Sequence, residues 1–156
     1  VVWGDHGWHL GDQLVWGKHT VFERSLKSTL IMRIPGMQNG KTVDKIVSTV
    51  DIYPTLTELC ETPVNHSLDG KSLLQLMKNP QDKSWRNTAY SYWRNGGSSV
   101  RTDRYRLTRY VRKEQPEFEL YDHLNDPFET INIAGQNENI VNELLPVLEK
   151  GSEIEF

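Results

Sequence analysis

Apolar and polar positions divide the chain into two differently patterned stretches. Three large strand-forming residues, Val1-Val2-Trp3, open it and break at Gly4-Asp5-His6-Gly7. The run reads as the tail of a buried strand. A strand feeding a polar pair bracketed by glycines fits the carboxyl-end loop of an α/β sheet, where ligands usually sit. A polar and aromatic loop follows, from Trp8 to His19. Thr20-Val21-Phe22-Glu23 has the spacing of a capping box and predicts a short helix over 21–27. Residues 28–34 (STLIMRI) read as a strand stopped by Pro35-Gly36. Residues 38–41 read as a turn, 42–47 as a short strand and 48–51 as a helix entry. Ile52, Leu56 and Leu59, spaced i, i+4, i+7, form an apolar helical stripe, with Pro54 harmless in the first turn. After a turn at Leu68-Asp69-Gly70, residues 72–78 predict a short helix facing inward through Leu73, Leu74 and Met77, stopped by Asn79-Pro80.

From Arg86 the composition shifts, and Ala89-Tyr90-Ser91-Tyr92-Trp93 is aromatic and strand-like. Residues 89–93, 98–102, 105–111 and 117–121 read as four strands of an antiparallel meander, with Asn95-Gly96-Gly97 as a hairpin signal. Residues 140–148 read as a closing helix, weakened in its last turn by Pro146. The fold expected is α/β: the end of a mixed, mostly parallel sheet flanked by helices over 1–84. A smaller subdomain follows over 85–156, with a four-stranded antiparallel sheet and a closing helix.

Length and charge narrow the function classes. At 156 residues and 37% hydrophobic, the chain can bury a core. A net charge of −3 gives no basic surplus for coating nucleic acid. No apolar run approaches the roughly 18 residues of a membrane span. The single cysteine, Cys60, excludes an internal disulfide framework. The start without Met, in mid-pattern, reads as that of a piece of something longer.

Asp5 and His6 are the first candidates for chemistry. A carboxylate and an imidazole at the mouth of a sheet can hold a metal or do acid–base work. Equally, the pair is a loop Asp capping its own backbone beside a surface His. Lys18, in Trp16-Gly17-Lys18-His19, offers a compact cation to a sulfate or phosphate oxygen, or is a solvated surface lysine. His9 and His19 either face the same pocket or are loop histidines. Trp8 and Trp16 either stack on a sugar ring or roof the core. Asp122-His123 follows a strand without glycine brackets and reads as structural. Asn65-His66-Ser67 matches the glycosylation triplet, which matters only in a eukaryotic secretory setting.

Taken in order, Gly4-Asp5-His6-Gly7-Trp8-His9-Leu10-Gly11-Asp12, Trp16-Gly17-Lys18-His19, Val50-Asp51-Ile52-Tyr53-Pro54-Thr55-Leu56, Leu68-Asp69-Gly70-Lys71-Ser72-Leu73, Ser99-Val100-Arg101-Thr102-Asp103-Arg104-Tyr105-Arg106, Glu119-Leu120-Tyr121-Asp122 and Asp126-Pro127-Phe128-Glu129 resemble the type I sulfatases of the alkaline-phosphatase-like superfamily. The likeness is to their C-terminal part and most to the iduronate-2-sulfatase-like branch. The resemblance implies that Asp5 and His6 help bind one divalent metal, usually Ca2+, and that Lys18 touches the sulfate. Trp8 and His9 would be further substrate contacts. Residue chemistry alone points elsewhere for the metal, to zinc or manganese, because calcium prefers oxygen donors. The family's nucleophile is a formylglycine made from the Cys or Ser of a Cys/Ser-x-Pro-x-Arg motif. That motif is absent here, and Cys60 is followed by Glu61-Thr62-Pro63. The formylglycine, the two N-terminal metal aspartates and the remaining sulfate contacts are therefore expected in an N-terminal part outside these residues.

The implied function is hydrolysis of a sulfuric ester on a sulfated carbohydrate, such as a 2-O-sulfated uronic acid of a glycosaminoglycan. The implied location is lysosomal, periplasmic or secreted. A phosphodiester or phosphonate-ester hydrolase of the same superfamily carries similar words. A noncatalytic sulfatase-derived subunit is the alternative from another class.

Overall fold

The computed structural model describes residues 1–37, 40–93, 96–112 and 115–152. Gln38 and Asn39 of the expected turn and Asn95 of the expected hairpin lie outside the described residues. The chain forms two compact units, one combining Val1–Met32 with the chain from Tyr90 onward, the other Arg33–Ala89. This division differs from a boundary at 84/85, because the first 32 residues fold with the C-terminal sheet.

That sheet has the order β5-β6-β7-β8. Its strands are β5 (Ala89–Trp93), β6 (Gly97–Arg101), β7 (Tyr105–Arg112) and β8 (Gln115–Asp122). β6 pairs antiparallel with β7, and β7 with β8, so Val100, Leu107 and Leu120 line up in one row across three strands. All three are fully buried. α4 (Glu138–Ser152) closes this face through Val141, Leu144 and Leu148, at i, i+3, i+7. The helix is longer than the expected 140–148 and continues past Pro146. Pro146 and Asn142, whose carbonyl loses its partner, are both exposed, so water can satisfy that group. Near the end of α4 a side chain at Gly151 would meet the Tyr90 ring at 2.2 Å, so only glycine allows that approach.

The other face of the sheet is polar yet buried. Alternation along β7 puts Arg106, Thr108 and Tyr110 there, and each is at most 5% exposed. Ser99 lies opposite Thr108 and receives its hydroxyl hydrogen bond at 3.0 Å. Phe22 packs on the Tyr121 ring at 5.8 Å. This face therefore accepts the N-terminal segment, described with the site below.

Within that segment, β1 (Val2–Trp3) and β4 (Leu30–Ile31), expected in a mixed and mostly parallel sheet, pair with each other antiparallel. The buried strand tail expected at the start is exposed: Val2 and Ile31 are 63% and 60% accessible. β2 (His9–Leu10) and β3 (Trp16–Gly17) form a small hairpin inside the region expected as plain loop. α1 (Glu23–Leu26) is shorter than the expected 21–27.

In the second unit a 3₁₀ turn, Thr49–Asp51, leads into α2 (Ile52–Leu59), and α3 (Leu74–Lys78) follows. Ser48 and Asp51 form a capping box. Asp51 is fully buried and also accepts the Lys71 amide at 2.8 Å and the Arg86 guanidinium at 2.5 Å. Thr55 donates to the Asp51 carbonyl and accepts the Leu73 amide. α2 therefore turns Pro54 and Thr55 inward and leaves Leu56 exposed, which corrects the expected Ile52/Leu56/Leu59 stripe. In the 72–78 helix, Leu76 is buried beside Leu73, a position the sequence reading missed. Residues 42–47 form no strand. Ile46 instead gives its N–H to Asn87 Oδ1 and its carbonyl to the Trp85 indole, so side chains replace a ladder.

Truncating the central row tests the sheet–helix core. Leu120→Ala should lower unfolding free energy by about 2–5 kcal/mol, the range for a buried leucine, read from urea denaturation. A loss under about 1 kcal/mol would mean that α4 does not seal this row.

Candidate functional site

Gly4 and Gly7 suspend the Asp5-His6 pair from α1 and the chain after it. The Gly7 amide donates to the Ser25 carbonyl at 2.7 Å, and the Gly4 amide to the Thr29 carbonyl at 2.9 Å. A Cβ on Gly7 would lie 2.0 Å from the Arg24 carbonyl oxygen, so any side chain there would push the loop off the helix.

This seat brings three of the expected site residues together. Lys18 Nζ lies 2.6 Å from His6 Nε2, and Asp5 Oδ2 lies 3.2 Å from the same nitrogen. His6 Nδ1 is 2.8 Å from the Gly7 carbonyl. A carbonyl only accepts, so Nδ1 carries the proton, and in the neutral ring the Nε2 lone pair faces Lys18 and Asp5. The backbone carbonyl thus fixes the orientation of the ring and leaves Nε2 as its acceptor atom. Asp5 is open to solvent, and its Oδ1 also takes the His6 amide. The exposed Trp8 ring sits 6.2 Å from the His6 ring. Trp16, 77% exposed, roofs no core, and His19 is exposed.

His9, expected as a substrate contact, is fully buried. Its Nδ1 donates to the Asp12 carbonyl at 3.1 Å, which leaves Nε2 to accept from the Thr20 hydroxyl at 2.9 Å. Both nitrogens are thus used inside the protein, and His9 ties the β2–β3 hairpin to Thr20 and onward to Ser25 Oγ. The expected capping box at Thr20–Glu23 does not form. Thr20 serves His9 and Ser25, and no side chain of its own segment caps α1.

The cap comes from far along the chain. Glu129 Oε2 accepts the Glu23 amide at 2.6 Å. Glu129 Oε1 takes Arg106 Nε at 2.6 Å and His123 Nε2 at 2.8 Å. Arg106 also donates to Glu23 Oε2, and Arg101 Nε stands 3.6 Å from that same oxygen. Arg106 and Glu129 are each only 2% exposed. Burial pushes the Glu129 carboxyl up, but the His123 hydrogen bond, the Arg106 charge and the Glu23 amide outweigh it and hold it below 4.5. Glu23, His123 and Glu129 each bring a ligand-capable atom within 4.8 Å of the others, but the Arg106 guanidinium already bridges the two carboxylates. Asp122 is structural, as expected. It accepts Arg104 Nε at 2.9 Å and Nη2 at 2.7 Å, and Arg104 holds its carboxyl far below the usual range.

Sequence reading missed Glu23, Arg106 and Glu129 as one group. The period of β7 could have shown Arg106 facing with Thr108 and Tyr110, but nothing local joins residues so far apart in the chain.

Residues 4–153 match the family model described as N-sulphoglucosamine sulphohydrolase, C-terminal. The chain belongs to this sulfatase family. A sulfatase of Formosa agariphila is 34% identical over 134 residues, covering 86% of this chain and 26% of its own length. A structure described as a complex with its substrate D-glucosamine-2-N,6-O-disulfate superposes with a TM-score of 0.86 at 26% identity, over 97% of this chain and 33% of that one. A 2-O glycosaminoglycan sulfatase structure superposes with a TM-score of 0.79 at 26% identity, over 95% and 34%. The chain thus spans about a quarter to a third of the length of these three proteins. The family match includes both the Asp5/His6/Lys18 loop and the Arg106 network.

Both depressed carboxyls, Glu129 and Asp122, favour the folded state above their unfolded values and lose that contribution as pH falls through the folded ones. The urea midpoint should therefore hold steady from pH 7 to about 5 and fall progressively below about 4.5. Glu129→Gln should start lower and fall less steeply. An unchanged slope in Glu129→Gln would remove Glu129 from this account.

Proposed function

We propose that this chain is the C-terminal part of a sulfuric ester hydrolase that removes sulfate from a sulfated sugar, and that Asp5, His6 and Lys18 are its share of the active site. The approach of the Lys18 ammonium (2.6 Å) and the Asp5 carboxylate (3.2 Å) to one imidazole nitrogen, His6 Nε2, carries this reading. Lys18 supplies a compact cation beside that pair, which on leaving His6 Nε2 would meet one oxygen of a tetrahedral anion.

A divalent metal fits two of these donors. Asp5 Oδ2 and His6 Nε2 are close enough to share one ion, and the His6 tautomer suits ligation. Calcium takes about six to eight oxygen ligands, so the other donors would come from the longer protein. When bound, such an ion draws charge from an ester oxygen. Lys18 would then turn from His6 Nε2 to the sulfate. The nucleophile of the complete enzyme would be a formylglycine outside these residues, whose sequence holds no Cys/Ser-x-Pro-x-Arg motif.

The exposed Trp8 indole, 6.2 Å from the His6 ring, and the exposed Trp16 indole offer flat apolar faces to a sugar ring. With the sulfated amino sugar and 2-O glycosaminoglycan relatives, they support a glycosaminoglycan-type substrate, of which a 2-O-sulfated uronic acid is our choice.

The test is turnover by the complete protein on a 2-O-sulfated uronic acid disaccharide, an aryl sulfate and the matching aryl phosphate. Sulfate esters should react faster, and Lys18→Ala should reduce kcat about 10²–10³-fold with an unchanged melting temperature. Asp5→Ala should weaken Ca2+ binding in calorimetry. Faster phosphate turnover, or full activity in Lys18→Ala, would overturn the assignment.

A further inference from the structure

We infer that Glu129, aimed by Arg106 and His123, is a positioning residue for the Asp5-His6 loop. This rests on the reading of that loop as part of the active site. The connection is continuous and short. Glu129 holds the Glu23 amide at the start of α1, and α1 presents the Ser25 carbonyl to Gly7 and its Arg24 carbonyl against the Gly7 Cα. The Gly7 carbonyl then fixes the His6 ring through Nδ1. Moving α1 therefore moves the atom that orients His6.

Two further features converge on Glu129. Its backbone sits at φ 56°, a left-handed conformation that glycine would adopt with less strain. The strain is held by the Asp126 carboxylate, which accepts the Thr130 and Ile131 amides, and by the Asp126 carbonyl, which accepts the Glu129 amide. The Gln13 side chain donates to the Phe128 carbonyl at 2.7 Å, so the same turn also anchors the loop carrying Asp12 and, beyond it, Lys18. One turn thus grips both sides of the site: the carboxylate holds α1 under His6, and the carbonyl holds the approach to Lys18.

Amide hydrogen exchange by NMR on the full chain tests this without any ligand, so a failure of the sulfatase reading for want of turnover leaves the result standing. In Glu129→Ala, protection of the Glu23 and Gly7 amides should fall roughly tenfold, the scale of a lost helix cap. The Val111 and Val141 amides, in β7 and α4, should change less than about threefold. Side-chain ¹⁵N shifts of His6 should move from a single Nδ1–H tautomer to a mixture. Glu129→Gln, which keeps an oxygen for the Glu23 amide, should restore much of the Gly7 protection. That variant also keeps the test open if Glu129→Ala fails to fold. A uniform loss across all amides, or Gly7 protection and the His6 tautomer unchanged in both variants, would overturn the inference.

Discussion

A guanidinium held between two carboxylates under a polar sheet face is the constraint on which the first unit depends. Arg106 leaves the middle of the sheet, meets Glu23 of α1 on one side and Glu129 of the closing turn on the other, and rests on Ser99. Each group is costly to bury alone, and each is tolerable because the others are present. Residues more than a hundred positions apart are joined this way, and the segment that carries the candidate site is held by the sheet. Burial of Val100, Leu107 and Leu120 under α4 stabilises the scaffold. The ion network decides what lies on its other face.

The site follows from that arrangement. A loop of two glycines and two polar side chains has little structure of its own. Its geometry comes from the carbonyls of α1, and the orientation of α1 comes from Glu129. His9, expected as a substrate contact, does the same kind of work inside, linking the hairpin to Thr20 and Ser25. An enzyme that handles a tetrahedral anion gains from such rigidity, because electrostatic stabilisation depends on charges already in place.

The aromatic, strand-forming composition after Arg86 and the turn residues between its runs made the four strands legible. The glycine-bracketed Asp5-His6 pair stands out by residue type and spacing, whereas Lys18 is singled out through the resemblance to the type I sulfatases. What could not be seen was non-local. Thr20–Glu23 looked like a self-contained capping box, yet the cap is Glu129 and the Glu23 carboxylate turns to Arg106. Residues 42–47 looked like a strand because Thr42, Val43, Ile46 and Val47 are strand formers, but the backbone of Ile46 is taken by the Trp85 and Asn87 side chains. The stripe through Leu56 failed because a buried aspartate, not an apolar contact, sets the rotation of α2. In each case a polar side chain from elsewhere overrode a local pattern.

The central claim is that Arg106 and Glu129 act as one unit. A double-mutant cycle on unfolding free energy, with Arg106→Met, Glu129→Gln and the pair, measures this directly. The account predicts that the double mutant loses much less than the two single losses added, with a coupling above about 1 kcal/mol. Additivity to within about 0.5 kcal/mol would contradict it.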